Sequence, residues 1–267
     1  MSRRPRLILA AALAVALVLA GCGGDDESAA DSTTPAATED LSGSITVAAA
    51  ASLTDAFTEI IEGFEDEYPD ADVEATFDSS GTLSDQILQG SGADVFASAD
   101  ETNMAKLTDT DVVTEEPTVI ARNQLVIVTK PGNPEGIETL DDLADVGVVA
   151  LCAEDAPCGR FAGQVLEGAD VEIPESSVTR GQNVRTTLTA VTEGDAVAGI
   201  VYVTDAAAAG DAVSTVEIPE DENAVAVYPI GVISGSLERD LADAFVAYVA
   251  SDEGQAVLAE YGFLPPA

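Results

Sequence analysis

The sequence of 267 residues contains no histidine. That absence excludes Ser-His-Asp and Cys-His nucleophile systems, HExxH metalloprotease sites and zinc sites built on imidazole. Positive charge is also scarce: 10 Lys and Arg stand against 49 Asp and Glu, for a formal net charge of −39. General nucleic-acid binding is excluded with it, because counterion release needs clusters of basic side chains. The excess of carboxylates reads as a well-solvated surface. It opposes long-range capture of an anion, although physiological salt screens such fields beyond about 8 Å. Any anion site must therefore rely on local dipoles. The hydrophobic fraction of 46% is ample for a core, and the length suits one large domain or two small lobes.

The chain also lacks an apolar run long enough for an ordinary membrane span. Leu7–Ala20 is unbroken but only 14 residues long, against the roughly 20 that a spanning helix needs. With Arg3, Arg4 and Arg6 before it, this run has the form of a signal peptide over residues 1–21. It ends in Leu19-Ala20-Gly21-Cys22, which resembles the lipobox of bacterial lipoproteins, where the cysteine is lipid-modified and becomes the mature N-terminus. Residues 22–42, rich in Gly, Asp, Ser, Thr, Ala and Pro, then read as a flexible tether from a lipid anchor on the extracytoplasmic face of the cell membrane. In that oxidising location Cys152 and Cys158 are expected to pair. In the chain-entropy model so short a loop contributes about 2 kcal/mol, so stiffening the turn through Ala156-Pro157-Cys158-Gly159 is the larger effect.

Past the tether, apolar runs alternate with helical patterns. Ser44–Ala50 reads as a buried strand, followed by a helix to about Tyr68 with Leu53, Phe57, Ile60, Ile61 and Phe64 on its inner face and Pro69 closing it. Strands are expected at 72–77, 93–97, 125–129, 146–151, 198–203, 213–218 and 224–233. Helices are expected at 82–89, 103–108, 140–144, 159–167, 183–192, 204–209, 237–250 and 253–261. This alternation means an α/β fold with a largely parallel sheet and ligands near the carboxyl ends of strands. Crossings between two lobes are expected near residues 122 and 228.

Several strand-to-helix turns carry hydroxyls or free amides. The stretch Phe77–Asp100 leaves a strand through Ser79-Ser80-Gly81 and opens a helix, presenting unpaired N–H groups and a hydroxyl together, as an anion requires. Ala-Ala-Ser-Leu at 50–53, Phe-Asp-Ser-Ser-Gly-Thr-Leu at 77–83, Ala-Asp-Val-Phe-Ala-Ser-Ala-Asp at 93–100, Asn-Val-Arg at 183–185, Gly-Ile-Val-Tyr at 199–202 and Tyr-Gly-Phe at 261–263 follow in order. Together, over about residues 44–264, they resemble the molybdate-binding proteins of bacterial molybdate ABC importers.

The resemblance implies a two-lobed periplasmic-binding-protein fold of type II, with mostly parallel sheets and the ligand in a cleft between lobes. It divides the chain into a first lobe over 43–122, a second over 123–228 and a return to the first over 229–267. It implies that molybdate, and tungstate with it, is held by the Ser52 and Ser80 hydroxyls, the Cys158 and Val184 backbone N–H groups and the Tyr202 hydroxyl, with no direct cation ligands and no cofactor. The partner would be a membrane permease, and the receptor a monomer. At position 78, where family members often carry an apolar or small residue, this chain has Asp78, whose carboxylate is expected to point away from the anion.

The residue chemistry agrees with this assignment. Each of the five positions offers a donor and none requires an acceptor, which complements a fully deprotonated tetrahedral oxyanion. Phosphate near pH 7 keeps a proton that such a site leaves unpaired, at roughly 1–3 kcal/mol. Plainer roles exist for each residue: helix caps for Ser52 and Ser80, core packing for Tyr202, half a disulfide for Cys158. Arg185 is expected to tie down acidic neighbours such as Asp195. Asp55, Asp94 and Asp100 could suggest a metal, but scattered carboxylates are expected in so acidic a chain. The same-fold alternative is a receptor for sulfate or another solute. A secreted serine or carboxylate hydrolase is disfavoured, because Lys106 and Lys130 are remote in sequence from every serine turn, and a cell-wall adhesion module leaves the ordered set of turns unexplained.

Overall fold

The computed structural model describes residues 41–267. The signal peptide, Cys22 and the tether as far as residue 40 lie outside the described residues. Strand β1 (Ser42–Ala50) begins two residues before the expected start and runs parallel to both β2 (Asp70–Asp78) and β3 (Val95–Ala97). Between them lie α1 (Thr54–Glu67), reached through a 3₁₀ turn at Ala51–Leu53, and α2 (Ser80–Leu88), with α3 (Glu101–Thr108) following β3. A second set of parallel strands comprises β5 (Val149–Cys152), β6 (Val178–Gly181) and β7 (Ala198–Tyr202), interleaved with α4 (Pro157–Gly168) and α5 (Val184–Thr192), with α6 (Val203–Ala209) after β7.

Two strands join these sets. β4 (Thr118–Thr129) pairs through residues 118–124 with β9 (Val225–Val232), then through Leu125–Thr129 with β7 and with β8 (Ser214–Glu217). The complete order is β2-β1-β3-β9-β4-β7-β5-β6, with β8 also on β4. The sheet is more mixed than the alternation suggested. Every antiparallel pairing involves β4 or β9, since a chain that crosses from one half to the other and returns must lay those two strands in opposite directions. The first half of β4 escaped the sequence reading because Arg122-Asn123-Gln124 interrupts its apolar run and the register shifts between Val119 and Ala121. The 146–151 strand starts only at Val149, because Gly147 lies at φ +118°, outside extended backbone. The helix expected at 140–144 is a single 3₁₀ turn, Asp141–Ala144.

Helix α1 is amphipathic as read, with Phe57, Ile60 and Phe64 fully buried; Ile61 is only half-buried at the rim. Phe64 meets Phe245 of α7 (Arg239–Ala250) edge-on at 5.3 Å, and α8 (Asp252–Glu260) closes the chain. Burying each such side chain contributes roughly 1.5–3 kcal/mol, enough to hold α1 and its N-terminal turn rigidly on the sheet. Leu264 pairs with Arg122 through two backbone hydrogen bonds, which fixes the C-terminal segment against β4.

The Cys152–Cys158 disulfide closes the turn from β5 into α4. This turn is so tight that a Cβ at Gly159 would stand 2.0 Å from the Ala153 carbonyl oxygen, while a Cβ at Gly163, one turn further along α4, would meet nothing within 4 Å. Thermal unfolding should separate the two glycines. Gly159→Ala should lower stability by roughly 1–3 kcal/mol through overpacking against backbone; Gly163→Ala should leave it unchanged or raise it by about 0.5–1 kcal/mol.

Candidate functional site

Four helices start at one place. α2 is capped by Ser79, whose hydroxyl accepts the Thr82 N–H at 3.4 Å. Capping therefore falls to Ser79, and Ser80, the first helical residue, is free for another task. Its Oγ accepts the Ala99 N–H at 2.9 Å. That bond occupies a lone pair and leaves the only Ser80 proton available to a ligand. α5 is capped by Asn183 in a reciprocal box with Thr186, so the Val184 amide is one of the first-turn N–H groups with no intrahelical acceptor. α4 begins with Pro157, and Cys158 supplies the first N–H that it can offer. Ser52 sits in the 3₁₀ turn that opens α1, with Oγ 2.9 Å from the Tyr228 hydroxyl. Tyr202 ends β7 immediately before α6.

All five residues named from sequence line a single cavity of about 10 Å³, with Ser52 and Ser80 from the first half and Cys158, Val184 and Tyr202 from the second. Sites for drug-sized ligands are about 300–1,000 Å³, so this one admits a single small ion or water and excludes sugars and peptides. The Tyr202 hydroxyl is buried and has no hydrogen-bond partner among the described residues. Burial, reinforced by Tyr228 and Asp205, pushes its pKa well above the usual tyrosine value, so it stays a protonated donor. Helix N-termini converging on a cavity lined by hydroxyl and amide donors hold negative charge through local dipoles even in a chain this acidic.

Asp78, expected to turn aside, belongs to the cavity lining. Its Oδ1 is occupied: it accepts the Ser79 N–H at 2.7 Å and Asn183 Nδ2 at 2.8 Å. The second bond joins the two halves. So do ion pairs of Arg185 with Asp55 and of Arg160 with Asp100. Arg185 thus binds Asp55, and lies 3.3 Å from Asp205 Oδ1, rather than Asp195; the expected partner was chosen by sequence proximity, whereas the fold places α5 against α1 and α6. Asp94 accepts from the Thr46 N–H and the Ser236 hydroxyl, and Asp100 caps α3. Each carboxylate weighed as a metal ligand therefore has a structural role. No group of three or more His, Cys, Asp or Glu side chains among the described residues is arranged to hold a metal ion.

Lys106 proves to lie close to a serine in space, with Nζ 3.5 Å from Ser84 Oγ. It is ion-paired with Asp85, and the fully buried Ser84 hydroxyl donates to the Gly81 carbonyl. The Ser84 proton is thus committed to a backbone carbonyl rather than to Lys106, which is not the arrangement of a serine nucleophile and its base. Sequence reading also missed Tyr228 and Asn123. Both are fully buried and polar, and both lie on strands in which nothing marks them as site residues.

This architecture, with two sets of parallel βα units joined by crossing strands around a small inter-element cavity, is that of a solute receptor. The chain belongs to the bacterial extracellular solute-binding proteins, whose family pattern matches residues 45–264. It is 36% identical over 262 residues to the molybdate-binding protein ModA of Mycobacterium tuberculosis, covering 97% of this chain and 98% of that protein. Among solved structures, the periplasmic molybdate-binding protein of Azotobacter vinelandii superposes with a TM-score of 0.73 at 21% identity, over 84% of this chain and all of that one. The sulfate-binding protein SubI of Mycobacterium tuberculosis gives 0.75 at 20% identity, over 83% and 86%. At these identities the likeness to the two structures is one of fold.

Asp205 is a fully buried carboxylate behind the site, and neither of its oxygens has a hydrogen-bond partner among the described residues. Burial pushes its pKa from 3.8 to about 7, opposed by Arg185 and aided by Asp55. A carboxyl with a raised folded-state pKa binds more protons folded than unfolded. Its contribution to stability is then most favourable below pH 4 and declines as pH rises to about 7. Asp205→Asn should therefore gain stability relative to wild type as pH rises from 4 to 8, by on the order of 4 kcal/mol. Paired chemical-denaturation curves across that range measure the difference and cancel the common effect of the other carboxylates.

Proposed function

We propose that this chain is the extracytoplasmic receptor of an ABC importer, and that it captures molybdate, and tungstate with it, for delivery to a membrane permease. The observation that carries the proposal is the convergence of Ser52, Ser80, Cys158, Val184 and Tyr202 from both halves on one small cavity. The match to ModA over nearly the whole chain supports molybdate as the solute. The proposed ligand set is two serine hydroxyls, two backbone amides and one tyrosine hydroxyl around an ion that only accepts hydrogen bonds. This chemistry needs no nucleophile, cofactor or cation ligand, and the protein acts as a binder rather than an enzyme. Residues 43–122 and 229–267 would form one lobe and 123–228 the other, hinging where β4 exchanges β9 for β7 between Gln124 and Leu125. Lipidation of Cys22 would hold a monomeric receptor at the membrane on the tether 22–42.

Calorimetric titration of the soluble domain from Ser42 with molybdate, tungstate, sulfate and phosphate at physiological salt tests the solute. One-to-one binding of molybdate and tungstate with sulfate and phosphate silent is the expected result. Ser80→Ala should weaken it by roughly 10- to 100-fold, as loss of a hydrogen bond to a charged ligand requires. Sulfate binding alone would keep the receptor and change the solute. Cys22→Ser in the full chain should move the protein from the membrane fraction to the medium, as immunoblotting of the two fractions would register.

A further inference from the structure

The Ser52 hydroxyl can face a ligand either as donor or as acceptor, and nothing in its own turn decides between them. The decision comes from behind it. Asn123, on β4 at the point where that strand changes partners, is buried with Oδ1 accepting the Gln124 N–H at 2.9 Å. Its orientation is thereby set with Nδ2 facing inward, donating to Thr204 Oγ1 at 2.8 Å and, in a longer contact, to Tyr228 Oη at 3.4 Å. An amide nitrogen has protons and no lone pair to offer. Tyr228 Oη then accepts from Asn123, and of its two hydrogen-bond partners among the described residues only Ser52 Oγ, 2.9 Å away, has a lone pair for the buried phenol proton. Ser52, accepting from Tyr228, is left with its own proton for the cavity. The Tyr228 ring is fixed edge-on by Phe263 at 5.4 Å and Tyr202 at 6.1 Å, so the phenol cannot swing to another partner.

We propose that Asn123 and Tyr228 are positioning residues that lock Ser52 as a hydrogen-bond donor and so set selectivity for fully deprotonated oxyanions over protonated ones. The inference rests on the oxyanion reading given above. Ser80 is polarised in the same sense by the Ala99 N–H, but through backbone, which no side-chain substitution can reverse. At Ser52 the direction depends on two side chains that touch no ligand. In their absence Ser52 could rotate and accept the proton of hydrogen phosphate.

Titration of the soluble domain and its Tyr228→Phe, Ser52→Ala and double variants with molybdate, without and with excess competing phosphate so that phosphate affinities too weak for direct titration are read by displacement, tests this. Tyr228→Phe is expected to weaken molybdate binding roughly tenfold and to narrow the molybdate-to-phosphate affinity ratio by at least that factor. In the Ser52→Ala background the same change should alter molybdate affinity by less than about twofold, because the relay acts only through Ser52. Asn123→Ala, with the phenol intact, should show a smaller loss and the same dependence on Ser52. Equal losses in both backgrounds, or an unchanged affinity ratio in Tyr228→Phe and Asn123→Ala, would overturn the relay. A wild-type chain that binds none of the oxyanions would instead remove the receptor reading, and the relay with it.

Discussion

The site depends on an asymmetry of the α-helix. The first-turn amides of a helix have no acceptor within it, and here the starts of α1, α2, α4 and α5 are brought to one small volume. A cavity so built offers amide and hydroxyl donors without a single basic side chain in its lining, and its one carboxylate, Asp78, is engaged by Ser79 and Asn183. This is how local dipoles can favour an anion in a chain of net charge −39. The rest of the fold serves that placement. α1 is pinned by buried phenylalanines, α4 by a disulfide turn with no room for a side chain at Gly159, and α5 by a capping box.

Much of this was legible in the sequence, for identifiable reasons. Helix starts advertise themselves locally, through Ser79-Ser80-Gly81, Ala156-Pro157 and Asn183-Val184, and the resemblance to the molybdate-binding proteins singled out which of their residues to name without knowing how the halves meet. The buried strands were legible for the same reason, since apolar runs need no partner to be recognised. Cross-chain relationships were not. Arg185 is ion-paired with Asp55 rather than Asp195, the Asp78 carboxylate bonds across to Asn183, and Tyr228 reads in sequence as one more residue of an apolar strand. In each case the deciding contact lies many residues away: 105 positions for Asp78–Asn183 and 176 for Ser52–Tyr228. The first half of β4 stayed hidden because it carries polar residues, and Asn123 is satisfied within the protein, by the Thr204 hydroxyl and the Gln124 backbone N–H, rather than by solvent.

The division of roles in the lining follows the same logic. Backbone amides at Cys158 and Val184 are fixed by helix geometry and cannot be retuned by substitution, so in the proposed site they would supply affinity common to any oxyanion. Hydroxyls can rotate, and each of the two serines has its lone pair engaged from behind, by the Ala99 amide or by the Tyr228 phenol. Tyr202 alone among the hydroxyls has no partner among the described residues, and its raised pKa keeps the proton that makes it useful.

The bridges between the halves, Asp78–Asn183, Asp55–Arg185 and Asp100–Arg160, bear on populations as well as on shape. In a receptor that closes by hinging, as proposed above, they would stabilise the closed arrangement whether or not an ion is inside. Apparent affinity equals intrinsic affinity scaled by the fraction of molecules already competent to bind. Cross-half pairs would then increase the closed fraction and reduce the work that a ligand must do to close the molecule. The same pairs would lower the frequency with which an empty molecule stands open to take up an ion. Affinity and rate of capture would thus be set against each other by the Asp55–Arg185 and Asp100–Arg160 pairs, which lie outside the cavity lining, so that the speed of uptake could be adjusted without altering a lining group.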